Sequence, residues 1–287
     1  MKIIYYLLLK PLVALPWPIL YLLSDFLYLI GYKVFRYRIH IVDENLKNSF
    51  PEKSRQERIN IRRKFYRHFF DLTLESLKMT TQNASQMRKR FDIINPELVN
   101  TFTEKKRDVI VVGGHYNNWE FLAYSMDMWL KGQAVGVYHQ FKNNFFEQKM
   151  RQARAQLGMH LVSRSEAREG ALEMLDMRIV LLFFADQSPT IAKKVYWTNF
   201  LNQETAVAFG TEKYALQKDA AVVYFHNKKV GRGKYEITFQ LLSEFPNKEA
   251  HGAITEKHVR ALEEDILEAP EYWLWTHRRW KRKRVEN

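Results

Sequence analysis

The residues best suited to chemistry lie in Val109-Ile-Val-Val112-Gly113-Gly114-His115-Tyr-Asn-Asn-Trp119-Glu120. This reads as a strand, a two-glycine turn and the start of a helix. It predicts His115 at the carboxyl end of a strand, where open α/β sheets bind ligands. Glycines let a backbone approach a substrate closely, and the first turn of a helix offers unpaired N–H groups to a developing oxyanion. A histidine there can deprotonate a hydroxyl near neutral pH. A carboxylate can hold its tautomer and stabilise the imidazolium. His115 and Glu120 are therefore the expected catalytic pair, with Gly114 and Asn118 of the same turn expected to contact substrate. Spacing alone is weak evidence: with nine histidines and 32 acidic residues in 287, about one His-x4-Asp/Glu match arises by chance. Two others occur, His251 with Glu256 and His258 with Glu263. They fall in or beside an amphipathic C-terminal helix with no strand or glycine turn before them, and read as surface pairs.

The elements that must position the motif are legible as apolar runs separated by helical stretches. The runs are Val109–Val112, Ala134–Tyr138, Leu161–Ser163, Ile179–Ala185, Ala221–Phe225 and Tyr235–Leu241. Helical stretches fall at about Asn117–Leu130, Asn144–Leu157, Glu166–Met177 and Ala206–Gln217. Such alternation predicts an α/β fold with a mixed, mainly parallel sheet flanked by helices. Gly231-Arg-Gly233 reads as a hairpin turn. Ser54-Arg-Gln-Glu57 has capping-box spacing and opens a long amphipathic helix to about Met79, whose outer side carries Arg58, Arg62, Arg63 and Lys64. A last helix runs from about Thr255 to Glu268 and stops at Pro270. On this plan Asp186-Gln187 ends a strand at the active edge, and Arg164 follows another strand there. All three are expected to face substrate. Asp186 could bond a sugar hydroxyl or pin a neighbouring cation.

The absence of cysteine removes disulfides, thiol nucleophiles and cysteine-ligated zinc. The formal charge of +13 calls for an anionic partner. From Ile3 to Ile30 only Lys10 and Asp25 are charged, yet the longest uncharged run, Pro11 to Ser24, is shorter than the ~20 residues of a simple span. With Pro11, Pro16 and Pro18 breaking the ladder, residues 1–31 are expected to form a helical membrane anchor that is bent, shallow or re-entrant. Basic and aromatic residues from Tyr32 to Arg38 mark a headgroup zone and favour a domain on the cytoplasmic side of the membrane. The expected organisation is an anchor over 1–31, a juxtamembrane helical region over 32–90 and a catalytic domain over 91–287. The basic end, with Arg278, Arg279, Lys281, Arg282, Lys283 and Arg284, reads as a flexible bilayer or donor contact. No nucleic-acid-binding motif accompanies it.

Further blocks follow in order: Asn45-Leu46-Lys-Asn-Ser49-Phe50-Pro51, the Gly-His-x4-Glu segment, Val137-Tyr138 with a helix through Arg151 and Arg154, Ala185-Asp186-Gln187, and Ala269-Pro270-Glu271-Tyr272-Trp273-Leu274-Trp275-Thr276-His277-Arg278-Arg279-Trp280. Over nearly the whole chain these resemble the bacterial lipid A biosynthesis late acyltransferases, lauroyl and myristoyl transferases of the lysophospholipid acyltransferase superfamily. The resemblance implies a glycerolipid acyltransferase-like fold and acyl transfer by His115 and Glu120. It also implies a substrate-phosphate or oxyanion role for Arg154, with Arg151 one turn away as the fallback. The implied donor is acyl carrier protein or acyl-CoA, and the acceptor a lipid A precursor, with a lysophospholipid or aminolipid as the alternative. No metal or other cofactor is called for. Tyr138-His139-Gln140-Phe141-Lys142-Asn143-Asn144 lacks the Arg-Pro and Asn-Pro forms common in these enzymes, and Lys193 to Gln203 also diverges, so both bear on acceptor choice. No P-loop, dinucleotide glycine fingerprint or Gly-x-Ser-x-Gly elbow is present.

Overall fold

The computed structural model describes residues 2–138, 140–141, 143–168, 170, 178–189 and 195–284. A turn at Lys2–Ile4 (α1) passes through a π-helical stretch, Tyr5–Leu9, into α2 (Lys10–Ala14), and α3 (Trp17–Tyr28) continues as a π-helical stretch over Leu29–Val34. Among the described residues no single helix is long and apolar enough to cross a membrane. Tyr5–Ala14 and Trp17–Val34 form a pair bent by 117°, a break that Pro16 enforces by having no N–H to donate. After α4 (Ile39–Ser49) comes the long α5 (Arg55–Met79), opened by the expected capping box between Ser54 and Glu57. Its outer side exposes Arg63 and Lys64. Its inner side buries Phe65, Tyr66 and Leu72.

The chain then runs α6 (Ala84–Arg88), β1 (Phe91–Ile93), α7 (Glu97–Glu104), β2 (Val109–Gly113), α8 (Trp119–Ser125), β3 (Gln133–Tyr138), α9 (Asn144–Ala155), β4 (His160–Ser163) and α10 (Arg164–Arg168). It continues with β5 (Ile179–Phe184), β6 (Val195–Phe200), β7 (Gln203–Ala208), α11 (Gly210–Lys218), β8 (Ala221–Gly231), β9 (Lys234–Ser243) and α12 (Ala253–Glu268). Seven strands form one sheet in the order β1-β9-β8-β2-β5-β3-β4, parallel at every pairing except β8 with β9. The mixed, mainly parallel sheet is thus as the apolar runs predict. Along β2, Ile110 and Val112 join one buried cluster while Val109 and Val111 join the other. That two-sided burial is what a near-continuous apolar strand implies.

Three elements depart from the expectation. β1 is too short to show a period. β6 and β7 form an antiparallel hairpin where a loop and, from Ala206, the start of a helix were expected. Its turn residues Leu201 and Asn202 both have positive φ, 50° and 62°, as a two-residue hairpin requires, but carry no glycine to signal it. Of the helix expected over Glu166–Met177, residues 169 and 171–177 lie outside the described residues, as do His139, Lys142 and Lys193.

Candidate active site

Strand register builds the centre of the site. Gly113 of β2 pairs with Phe184 of β5, and the Ala185 N–H continues the ladder by donating to the Gly113 carbonyl at 3.0 Å. Both chains then leave the sheet at its carboxyl edge, so His115 and Asp186 emerge side by side. The His115 backbone N–H donates to Asp186 Oδ2 at 2.9 Å, and His115 Nδ1 lies 2.6 Å from Asp186 Oδ1. Trp273 Nε1–H also donates to Oδ2, at 2.9 Å. Burial would raise the Asp186 pKa, but the His115 charge and these donors hold it well below the ordinary carboxylate range. An ionised carboxylate only accepts, so Nδ1 of His115 carries the proton and Nε2 is left basic. Burial opposes the imidazolium, yet the Asp186 charge and hydrogen bond outweigh it, with a smaller contribution from Glu120, and hold the His115 pKa above its ordinary value.

The carboxylate on Nδ1 is therefore Asp186, where the motif spacing pointed to Glu120. Asn117 takes a left-handed conformation, φ 50°, and turns the chain into α8. Glu120 sits in the first turn of that helix and pairs with Arg154 of α9 at 2.9 Å. Arg154 is largely covered, with 17% side-chain exposure, and its guanidinium lies over the Tyr124 ring. Arg151, one turn earlier on α9, is exposed, so of the two arginines it is Arg154 that reaches the motif. The Arg164 side chain lies outside the described residues.

Gly114 and Asn118 hold the turn together. A Cβ on Gly114 would sit 2.7 Å from Leu262 Cδ1 and 3.3 Å from Asp186 Cγ, so this glycine makes room for the Asp186 carboxylate and α12. Asn118 is fully buried and caps α8, accepting from the Phe121 N–H at 3.3 Å while donating to Glu75 at 2.8 Å. Its side chain is occupied inside the protein. Three of the segment's amides also have acceptors: Asn117 N–H donates to the Tyr272 carbonyl at 2.9 Å, His115 N–H to Asp186 and Phe121 N–H to Asn118.

The unprotonated edge of His115 faces a cavity of about 1100 Å³. Exposed Gln187 lies on its wall, with Nε2 3.2 Å from His115 Nε2. One part is apolar, lined by Ala123, Val137, Met150, Met159, Leu161 and Leu182, and Glu120 and Arg154 border it. Another part brings Lys213 and His251, which the sequence reading did not select. His251 packs against Phe209 with ring centroids 4.7 Å apart; it is exposed, as a surface residue should be, but on the cavity wall. Neither residue had a local signal that pointed to this site, since each lies beside it only through folding. His258 corrects the other surface reading: it is 4% exposed, and burial pushes its pKa down to about 4. Arg279, grouped with the flexible basic end, is 3% exposed, and burial lowers its pKa to about 10 against the pull of Asp186.

The C-terminal block roofs this site. Tyr116 bridges Trp273, Trp273 and Trp275 are buried, and Asn45 Nδ2 donates to the carbonyls of Trp275 and His277 at 2.8 and 3.0 Å. Blocks far apart in sequence thereby meet around His115.

An α/β sheet with a carboxylate-held histidine at its edge, opening on a cavity with an apolar wall, defines an acyltransferase-type site. The match to a family model confirms the class: residues 1–282 fit the bacterial lipid A biosynthesis acyltransferases, and the chain belongs to that family. It is similar to the lipid A biosynthesis lauroyltransferase of Escherichia coli K12, 25% identical over 271 residues, covering 94% of this chain and 87% of that one. The lipid A biosynthesis palmitoleoyltransferase of the same strain is 24% identical over 279 residues, with coverage of 95% and 88%. A lipid A biosynthesis acyltransferase of Shigella flexneri matches to the same extent. The protein is an acyltransferase.

Proposed function

We propose that the enzyme transfers a fatty acyl chain from an acyl thioester, carried by acyl carrier protein, to a hydroxyl of a lipid A precursor at the cytoplasmic face of the inner membrane. The observation that carries the reading is the His115–Asp186 pair, whose free Nε2 opens onto a cavity with an apolar wall. The acceptor hydroxyl displaces the Gln187 amide and gives its proton to His115 Nε2 as its oxygen attacks the thioester carbonyl. Asp186 steadies the imidazolium. Collapse of the tetrahedral intermediate breaks the C–S bond, and the leaving thiolate takes the proton back. The developing oxyanion falls to the remaining N–H groups at the start of α8 and to Arg154, which Glu120 orients from that helix. The cavity slightly exceeds the ~300–1,000 Å³ of ordinary small-molecule sites, which suits an alkyl chain together with part of an acceptor.

Residues 1–31 serve as the anchor. On α3, Leu20, Ser24 and Tyr28 are buried while Ile19, Leu22 and Phe26 are exposed, and Ile3, Leu7 and Leu8 before it are exposed too. A helix pair with this bent shape and one apolar outer face fits into one leaflet. The test is mass spectrometry of a lipid A precursor incubated with acyl carrier protein thioesters and the purified protein. The expected product is heavier by one acyl group and is lost with His115→Ala. Transfer to a lysophospholipid but not to the lipid A precursor would overturn the acceptor assignment, and undiminished transfer by folded His115→Ala would overturn the mechanism.

A further inference from the structure

Besides His68, the buried side of α5 carries three ionisable groups that the proposed chemistry leaves idle: Asp71, Glu75 and Lys78. All three grip the N-terminal helices. Asp71 Oδ1 accepts from Ser24 Oγ at 2.7 Å and from Arg232 Nη2 at 2.6 Å, and Arg232 also holds Asp25 at 2.7 Å. Lys78 Nζ donates to the carbonyls of Val13 and Leu15, at 2.7 Å each, where the ladder breaks between α2 and α3.

Glu75, with no exposed surface, faces two ways. Its Oε1 accepts from the Tyr21 hydroxyl of α3 at 3.1 Å. Its Oε2 accepts from Asn118 Nδ2 and from the Tyr235 hydroxyl of β9, both at 2.8 Å. Asn118 is the residue that caps α8, whose first turn presents Glu120, and it lies three positions from His115. One carboxylate thus joins the membrane-facing helix, the sheet and the catalytic turn. For stability alone, a well-packed apolar side chain would do as well as a buried carboxylate, which carries a desolvation penalty. What a carboxylate adds is a fixed geometry between several donors.

We propose that Glu75 is a positioning residue for acyl transfer, tying the seating of the N-terminal helices on the bilayer to the alignment of the His115–Glu120 segment. This rests on the function proposed above. Two predictions distinguish it from simple packing. The link runs through hydrogen-bond donors and acceptors, so reversing their direction should preserve it. The signal should also pass from the Tyr21 end to the catalytic turn.

The experiment uses the full-length protein in phosphatidylethanolamine–phosphatidylglycerol vesicles, with kcat, donor KM and amide hydrogen exchange over residues 114–122 as readouts. Glu75→Met removes the oxygens that accept from Asn118, Tyr235 and Tyr21. It should lower kcat by about 10- to 100-fold with KM little changed, since small misplacements cost rate more than binding. Asn118→Asp should do likewise by opposing two carboxylates. Glu75→Gln combined with Asn118→Asp restores the 75–118 bond with donor and acceptor exchanged and still caps α8, so kcat should recover above either single variant. Tyr21→Phe removes one hydroxyl on α3 and should speed exchange over 114–122, and it decides the matter should Glu75→Met fail to fold. A double variant no better than the singles, or unchanged exchange in Tyr21→Phe, overturns the proposal. Exchange needs no substrate, so a wild-type protein that transfers no acyl group would sink the functional reading separately.

Discussion

Asp186→Asn puts the His115–Asp186 pair to its sharpest test. The carboxylate accepts from three donors: Oδ2 takes the His115 N–H and Trp273 Nε1–H, and Oδ1 takes His115 Nδ1–H. An asparagine keeps one oxygen. If that oxygen stays on the Oδ2 side, two bonds survive and the amide NH2 faces Nδ1. His115 must then accept at Nδ1 and carry its proton on Nε2, where it can take none from the acceptor. Turning the amide over restores the tautomer but leaves two buried donors facing a third, at ~1–3 kcal/mol for each unmet group. The first arrangement wins, and it disables the base. The expected loss is ~10²–10⁴-fold in kcat, about 3–5 kcal/mol of transition-state stabilisation. The pH profile supplies a second sign. Asp186 holds the His115 pKa above its ordinary 6.5, and the base works only when neutral. The wild-type rate should therefore climb with pH through a midpoint above that value, and the residual activity of Asp186→Asn should climb through a lower one. Both are read from initial rates of lipid acylation across pH, with the melting temperature as a check on folding. A folded Asp186→Asn enzyme with near wild-type kcat, or an unmoved midpoint, would refute the reasoning.

Glu120→Gln should cost less, about 10- to 100-fold in kcat, because it loosens Arg154 and leaves the His115 tautomer intact. Since Glu120 and Asp186 hold different partners, their losses should combine nearly additively, and a double variant no worse than Asp186→Asn would contradict this. His258→Ala empties a buried position and should lower stability by about 1–3 kcal/mol in denaturant titration, while the folded fraction retains its kcat. Deleting residues 1–31 should abolish vesicle flotation and also destabilise the rest, because Asp71, Glu75 and Lys78 lose partners on α2, α3 and the segment between them. A soluble, fully active truncated protein would argue against both the anchor and its tethers.

The chain's local patterns were enough for six of the sheet's seven strands, all but β1. Strands buried on both faces must read as apolar runs, and β2, β3, β5 and β8 all do. The Ser54–Glu57 box, the Gly231–Gly233 turn and Pro270 were legible because capping, tight turning and helix termination act within a few residues. The β6–β7 hairpin was not, since Leu201 and Asn202 adopt positive φ without the glycine that normally announces it.

His115 was legible for the same local reason: a strand followed by two glycines places its next residue at a sheet edge. Its partner was not. Glu120 is near in sequence, but the left-handed Asn117 turns it toward Arg154, while Asp186 reaches His115, 71 positions away, because Gly113 and Phe184 share a register. Lys213, His251, Trp273 and Glu75 likewise acquire their places only when distant segments pack. The sequence by itself determined which chemistry is available and on what scaffold, since propensity, periodicity and turn stereochemistry act locally. Which acid serves which base was left to tertiary structure, because a hydrogen bond depends on distance in space, and only strand order and register set that distance.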